Sequence, residues 1–174
     1  MKILLIGPQG SGKSTQATLL AEHLGLPKIT IGDLFRQIAD SDSEEGKRIK
    51  QILDCGQLVD DQTTAELVKK RVSEEDVKNG FILDGYPRTI EQVNIFEPDL
   101  DKVIYLNVPR EEVVQRLLQR GRADDTALLI NKRLDLYYQQ TQPLLDHYKQ
   151  QGTLVEVDGV GDIQRIQDEI RKQV

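Results

Sequence analysis

One stretch narrows the possible folds more than any other: 2-KILLIGPQGSGKST-15. Five residues dominated by apolar side chains run without a break into Gly7, and the segment that follows matches G-x-x-x-x-G-K-[ST] at each fixed position: Gly7, Gly12, Lys13 and Ser14. After Lys13 the pattern becomes that of an amphipathic helix. Strand, glycine-rich loop and helix in that order form a phosphate cradle. The glycines let the backbone curl so that N–H groups point inward, and the helix adds the positive end of its dipole. Gly10, Ser11, Gly12, Lys13, Ser14 and Thr15 are therefore candidates to hold a nucleoside triphosphate. Lys13 would reach the outer phosphates, and the Ser14 hydroxyl would serve Mg²⁺. The alternative is a plain glycine-rich turn, which spacing and context together disfavour. The loop names the donor and leaves the acceptor open.

The rest of the chain repeats the same alternation. Short apolar runs at Lys2–Ile6, Lys28–Ile31, Phe81–Leu83, Val103–Leu106 and Leu154–Val157 predict strands. Helical patterns cover Lys13–Leu24, Gly32–Cys55 in two pieces, Asp61–Glu75, Thr89–Phe96, Arg110–Arg120, Thr126–Tyr148 and Asp162–Gln173. Nearly continuous apolar runs suit parallel strands buried on both faces. The expected class is α/β: a three-layer fold for binding nucleoside triphosphates, with a five-stranded parallel sheet between two layers of helices. A length of 174 residues fits one domain. The segment from Thr30 to Val59 reads as a small helical lobe inserted on it. Val113, Val114, Leu117 and Leu118 form one helical stripe, and Ile130, Leu134, Tyr137 and Thr141 another.

Composition excludes several functions. The single cysteine, Cys55, rules out an internal disulfide and reads as a packed, inert thiol, and no Cys/His cluster has zinc spacing. No apolar run reaches membrane-spanning length, and KILLI is too short for a signal peptide, so a cytoplasmic protein is expected. A net charge of −6 argues against nucleic acid as the main partner but leaves room for a local basic cleft. His23 and His147 have no catalytic companions, and Tyr137, Tyr138 and Tyr148 read as packing residues of a long helix.

Two further stretches concern anions. In 80-GFILDGYPRT-89 a buried strand ends in Asp84, placed where parallel sheets bind ligands and able to hold Mg²⁺ through water. Gly85 lets a ligand approach the backbone, Pro87 stiffens the turn and Arg88 offers a planar fork for phosphate. In 116-RLLQRGRADD-125, Arg116, Arg120 and Arg122 crowd together within this acidic chain. Arg116 and Arg120 share a helical face. Pairing of Glu112 with Arg116 would offset their repulsion, but a solvated pair contributes only about 0.3–0.5 kcal/mol, too little to account for the cluster.

Taken together, 7-GPQGSGKSTQA-17, 32-GDLFR-36, 81-FILDGYPRT-89 and the arginine-rich stretch resemble the adenylate kinase family of nucleoside monophosphate kinases, from about Lys2 to the final helix. The resemblance implies one domain over residues 1–174, with a monophosphate-binding lobe at about 30–59 and a minimal lid at about 120–125. It implies transfer of a phosphoryl group from Mg-ATP to AMP, giving two ADP, without zinc. It places Ile31, Arg36, Gln57, Leu58, Val59, Gly85, Tyr86, Pro87, Arg88 and Gln92 around AMP, with the Gln92 amide reading adenine. It places Arg116 and Gly161 at the donor adenine, Arg120 on donor phosphates, and Arg122 and Arg133 as the clamp on the moving group. Lys13, Arg88, Arg120, Arg122 and Arg133 would be the catalytic set. Asp124 and Asp125 would orient the arginines and cap the helix starting near Thr126.

The chain departs from the family pattern at Ile31, where a threonine is usual, at Asp60, where a proline is usual, and in the lid, where only Gly121 separates Arg120 from Arg122. So short a lid implies closure by Arg122 and the monophosphate lobe. The competing readings are a kinase for CMP or UMP, a kinase for another small molecule on the same scaffold, and a non-catalytic sensor of adenine nucleotides. Both substrates fit within one chain, so a monomer is expected.

Overall fold

The computed structural model describes residues 1–54, 59–121 and 126–174. Five strands form one parallel sheet: β1 (Lys2–Ile6), β2 (Lys28–Thr30), β3 (Phe81–Asp84), β4 (Lys102–Asn107) and β5 (Leu154–Asp158). Their order across the sheet is β2-β3-β1-β4-β5. The helices are α1 (Lys13–Leu24), α2 (Ile31–Ala39), α3 (Glu44–Asp54), α4 (Asp61–Arg71), α5 (Ile90–Ile95), α6 (Arg110–Arg120), α7 (Ala127–Gln150) and α8 (Ile163–Arg171), with one 3₁₀ turn at Glu75–Val77.

Strand pleating divides the core in two. Ile3 and Leu5 of β1, with Ile82 and Ile104, face Ala17, Leu20, Ile166 and Ile170 of α1 and α8. Leu4 and Ile6, with Leu83 and Val103, face Val68 of α4 and Leu144 and Tyr148 of α7, joined by Phe35 and Tyr86. A strand buried on both faces has no polar side to show, which explains the unbroken apolar runs in the sequence. A third cluster joins Val113 and Leu117 of α6 to Ile130 and Leu134 of α7, using both predicted stripes.

Most element boundaries move by a residue or two from those expected, and one helix ends four residues early. The second run was expected to continue to Ile31, but the strand ends at Thr30 and Ile31 opens α2. The helix expected to reach Glu75 ends at Arg71, where Arg71 turns back to Asp76 with contacts of 2.9 and 2.7 Å. α7 runs through Pro143, an exposed position. The cap of α7 is Thr126, whose hydroxyl accepts from Leu129 N–H; Asp124 and Asp125, expected to serve there, lie outside the described residues.

This order puts the site at the carboxyl end of the sheet. From β1 the chain builds outward on one side through β3 and on the other through β4, and a crevice opens where the winding reverses. Leu5 of β1 pairs with Asp84 of β3, so the phosphate loop and the Asp84 carboxylate leave the sheet side by side.

The core should respond as a packed solid. Leu4 is 1% exposed, and Leu4→Ala is expected to lower unfolding free energy by about 2–5 kcal/mol in urea titration. Leu128→Ala, at a side chain 79% exposed, should change it by less than about 0.5 kcal/mol.

Candidate active site

The phosphate loop adopts the conformation its glycines permit. Gly10 and Gly12 both have φ of +90°, a region other residues rarely enter. At Gly10 a Cβ would also lie 2.8 Å from the Leu117 side chain, so α6 closes against the loop only because that position is glycine. Gly12 precedes the first residue of α1, whose N-terminus carries Lys13, Ser14 and Thr15.

From Asp84 the chain turns through Gly85 (φ +98°) and a cis Tyr86–Pro87 peptide to Arg88. The Arg88 Nε donates to the Gly85 carbonyl at 2.9 Å, which folds the side chain back over its own turn. The Ser14 hydroxyl donates to Asp84 Oδ2 at 2.5 Å, joining the α1 N-terminus to the end of β3. Asp84 is 3% exposed. Its hydroxyl–carboxylate pair is a hard-oxygen donor set suited to Mg²⁺. Among the described residues no group of three or more His, Cys, Asp or Glu side chains could hold a metal ion.

These elements border one cavity of about 850 Å³. Its wall includes Gly10, Gly12, Lys13, Ser14, Thr15, Arg36, Gly85, Pro87, Arg88, Arg116, Arg120 and Arg133. Among the described residues, six lining side chains are cationic and no Asp or Glu lines it. Arg36, Arg88, Arg116 and Arg133 are each held by acceptors within the protein. Arg116 donates to Glu112 Oε1 at 2.8 Å, to the Gly159 carbonyl at 3.1 Å and to the Ser11 carbonyl at 3.3 Å. Arg36 is paired with Asp33. Arg133 donates to Gln9 Oε1 at 3.1 Å and to the Leu129 carbonyl at 3.3 Å. The Glu112–Arg116 pair is therefore present, as one of three anchors.

Crowding shows in the protonation equilibria. Burial, opposed by Asp84 and reinforced by Arg88 and Arg120, lowers the Lys13 ammonium from its ordinary value. Arg88 opens to the cavity, yet enclosure by surrounding protein also lowers it, with Asp84 acting in the opposite direction. An incoming anion acts on both groups in the opposite direction, favouring their charged forms.

The other expected residues among those described are not part of this cavity's lining. Tyr86 does not line the cavity; its ring is fully buried and its hydroxyl faces the carbonyls of Phe96 at 2.5 Å and Gln92 at 3.0 Å. Burial pushes that phenol up. Ile31 is 3% exposed in the core beside Gly85, and Val59 is half-buried against the same cluster. Ser11 is buried within the loop, its hydroxyl without a partner. Gly161 has φ of +121° and is backed by Arg165, which holds Val160 O at 2.5 Å and Asp158 at 3.1 Å. Gln92 is 5% exposed, its amide engaged with Asp61 and the Arg88 N–H. Gln57, Leu58 and Arg122, and also Cys55, lie outside the described residues.

The sequence reading missed Gln9 and the wall supplied by α7, where Tyr137, Gln140, Thr141 and Leu144 border the cavity. The stripe Ile130–Leu134–Tyr137–Thr141 was the available signal, read there as packing alone. His147 packs on Glu97 at 2.8 Å and edge-on to Tyr148.

A family model described as "Adenylate kinase" matches residues 5–153. The chain belongs to the adenylate kinase family. The adenylate kinase of Nocardia farcinica is 44% identical over 175 residues, covering 97% of this chain and 96% of the relative. That of Bifidobacterium longum is 45% identical over 181 residues, covering 98% and 97%, and that of Mycobacteroides abscessus 44% over 173, covering 95% and 94%. Coverage this even means that these relatives are close to this chain in length. Among the described residues no helix is long and apolar enough to cross a membrane.

The lowered Lys13 sets a pH dependence. Between its folded value and the ordinary 10.5, the unfolded chain binds more protons than the folded one, so this group makes the ligand-free protein more stable as pH rises. A bound triphosphate needs the ammonium charged, so its stabilising effect should shrink across the same window. Thermal melts with and without ATP should show the ATP-induced rise in Tm falling as pH increases. In Lys13→Met the rise should be smaller and lack that dependence.

Proposed function

We propose that the protein is a phosphotransferase that moves the terminal phosphoryl group of Mg-ATP to AMP, yielding two ADP. The observation that carries this reading is the cavity wall: a phosphate loop and six cationic side chains converge on it without a lining carboxylate among the described residues. Family membership and the names of the relatives supply the acceptor.

Phosphoryl transfer spreads negative charge over the oxygens of the moving group and asks little covalent work of a protein. Fixed cations aimed at that charge stabilise it without reorganising during the reaction. The backbone N–H groups of Gly10–Thr15 and the Lys13 ammonium orient the donor. Arg36 of α2 and Arg88 of the turn after β3 both line the cavity and would hold the acceptor phosphate. Arg120 and Arg133 approach from α6 and α7 and would steady the group in transit, with Arg122 expected beside them. Mg²⁺, held by Ser14 and through water by Asp84, would supply charge neutralisation on the donor phosphates. No side chain need act as a general base. Residues of about 30–59 would form the acceptor lobe and about 120–125 the lid, and water exclusion by their closure would limit hydrolysis. We read the chain as a cytoplasmic monomer acting on free nucleotides, not on nucleic acid.

A coupled ADP-formation assay with Mg-ATP and a panel of AMP, dAMP, CMP, UMP and GMP tests this. AMP should be the preferred acceptor, and Arg88→Ala should lower kcat/KM for it by roughly a hundred- to thousandfold. Preference for CMP or UMP would retain the chemistry and overturn the acceptor. Tight ATP binding without turnover on any acceptor would make the protein a sensor.

A further inference from the structure

The Gln92 residue is tied down more completely than packing of a six-residue helix requires. Its backbone N–H bonds to the Thr89 hydroxyl at 3.2 Å, and its carbonyl accepts from Tyr86 at 3.0 Å. Its side chain is held at both ends: Oε1 accepts from the Arg88 N–H at 2.7 Å, and Nε2 donates to Asp61 Oδ1 at 2.7 Å. An amide can flip to exchange its oxygen and nitrogen, but not here. A backbone N–H can only donate and an ionised carboxylate can only accept, so each partner dictates which atom it meets.

We propose that Asp61, the first residue of α4, is a positioning residue that locks the Gln92 amide in one orientation and thereby sets which purine the acceptor site takes. The inference rests on the reading of this site as one for a nucleoside monophosphate whose base meets the Gln92 amide. With one lone pair of Oε1 and one hydrogen of Nε2 used internally, the amide keeps one acceptor and one donor for a ligand. That remaining edge matches a 6-aminopurine, whose N1 accepts and whose amino group donates. It opposes a 6-oxopurine, whose N1–H donates and whose O6 accepts. For the oxopurine both contacts become repulsive, donor on donor and acceptor on acceptor, and a buried site that leaves polar groups unpaired discriminates strongly. Without Asp61 the amide has only the Arg88 N–H to orient it, and the flipped form that suits an oxopurine becomes accessible. Asp61 itself touches no substrate; its effect is transmitted through Gln92.

The test compares AMP with IMP, which have nearly the same shape and reversed hydrogen-bonding edges, in wild type, Asp61→Leu and Asp61→Asn. In Asp61→Leu the ratio of kcat/KM for AMP to that for IMP should fall at least about tenfold, through a raised KM for AMP and a lowered KM for IMP, with kcat for AMP changed far less. Asp61→Asn, close in shape but able to present oxygen or N–H₂, should lower the ratio by about threefold or more, and decides the matter if Asp61→Leu does not fold. A role limited to stapling α4 to α5 would lower stability or both activities together and leave the ratio unchanged; that outcome in a folded variant overturns the proposal. Failure of the wild type to phosphorylate AMP would instead overturn the proposed acceptor, independently of what either variant does.

Discussion

Six cations around one cavity repel one another, and the rest of the molecule is arranged to hold them there. A flexible lysine or arginine facing like charges would swing out to solvent. Here the acceptors that restrain these side chains are largely backbone carbonyls: Gly85 for Arg88, Ser11 and Gly159 for Arg116, Leu129 for Arg133. A carbonyl satisfies a guanidinium N–H without cancelling its charge, whereas a carboxylate in the wall would compete with the incoming phosphate. Carboxylates pair with Arg36 and Arg116 through Asp33 and Glu112, and neither acid lines the cavity. The positive potential is thus kept for the ligand; burial lowers the equilibria of Lys13 and Arg88, and neighbouring arginines add to the effect at Lys13.

That solution depends on the sheet. β1 and β3 are adjacent and parallel although most of the first half of the chain lies between them, so the phosphate loop and the Asp84–Arg88 turn emerge together. α6 and α7 then bring their arginines over the loop from the other side, resting on a small apolar cluster of their own. The Gly10 position couples the two halves: its missing Cβ is the space Leu117 occupies. A substitution there would push α6, and with it Arg116 and Arg120, away from the phosphates.

The order of elements was legible in the sequence because each strand is a run bounded by turn chemistry, and because the phosphate loop fixes what precedes and follows it. The placing of the phosphate loop and of single charged groups was also legible, since local spacing determines it: Gly10, Gly12, Lys13 and Arg88 all border the cavity. What local spacing cannot show is which way a side chain turns once distant segments meet. Tyr86 lies within the acceptor turn by sequence, yet its ring turns into the core to meet the α5 carbonyls. The stripe on α7 carried a real periodicity, but a helix face can border a cavity and a core together, and periodicity does not separate the two. Asp61 looks like an ordinary first-turn acid of α4; only the partner 31 positions away shows otherwise.

Net charge acquires a sharper meaning once the cavity is placed. The chain carries 23 Lys and Arg against 29 Asp and Glu. Six of those cations face the cavity, so the remaining surface is more acidic than a net charge of −6 conveys. An approaching nucleotide polyphosphate is repelled over most of that surface and attracted at one opening, and low-dielectric walls concentrate the field there. The effect reaches only about a Debye length, ~8 Å at physiological ionic strength, so it acts on the last approach rather than on distant diffusion. The acidic surface and the basic cavity are therefore one device: the first makes adsorption elsewhere unfavourable, and the second makes binding in the cleft the way to relieve the repulsion built into the fold.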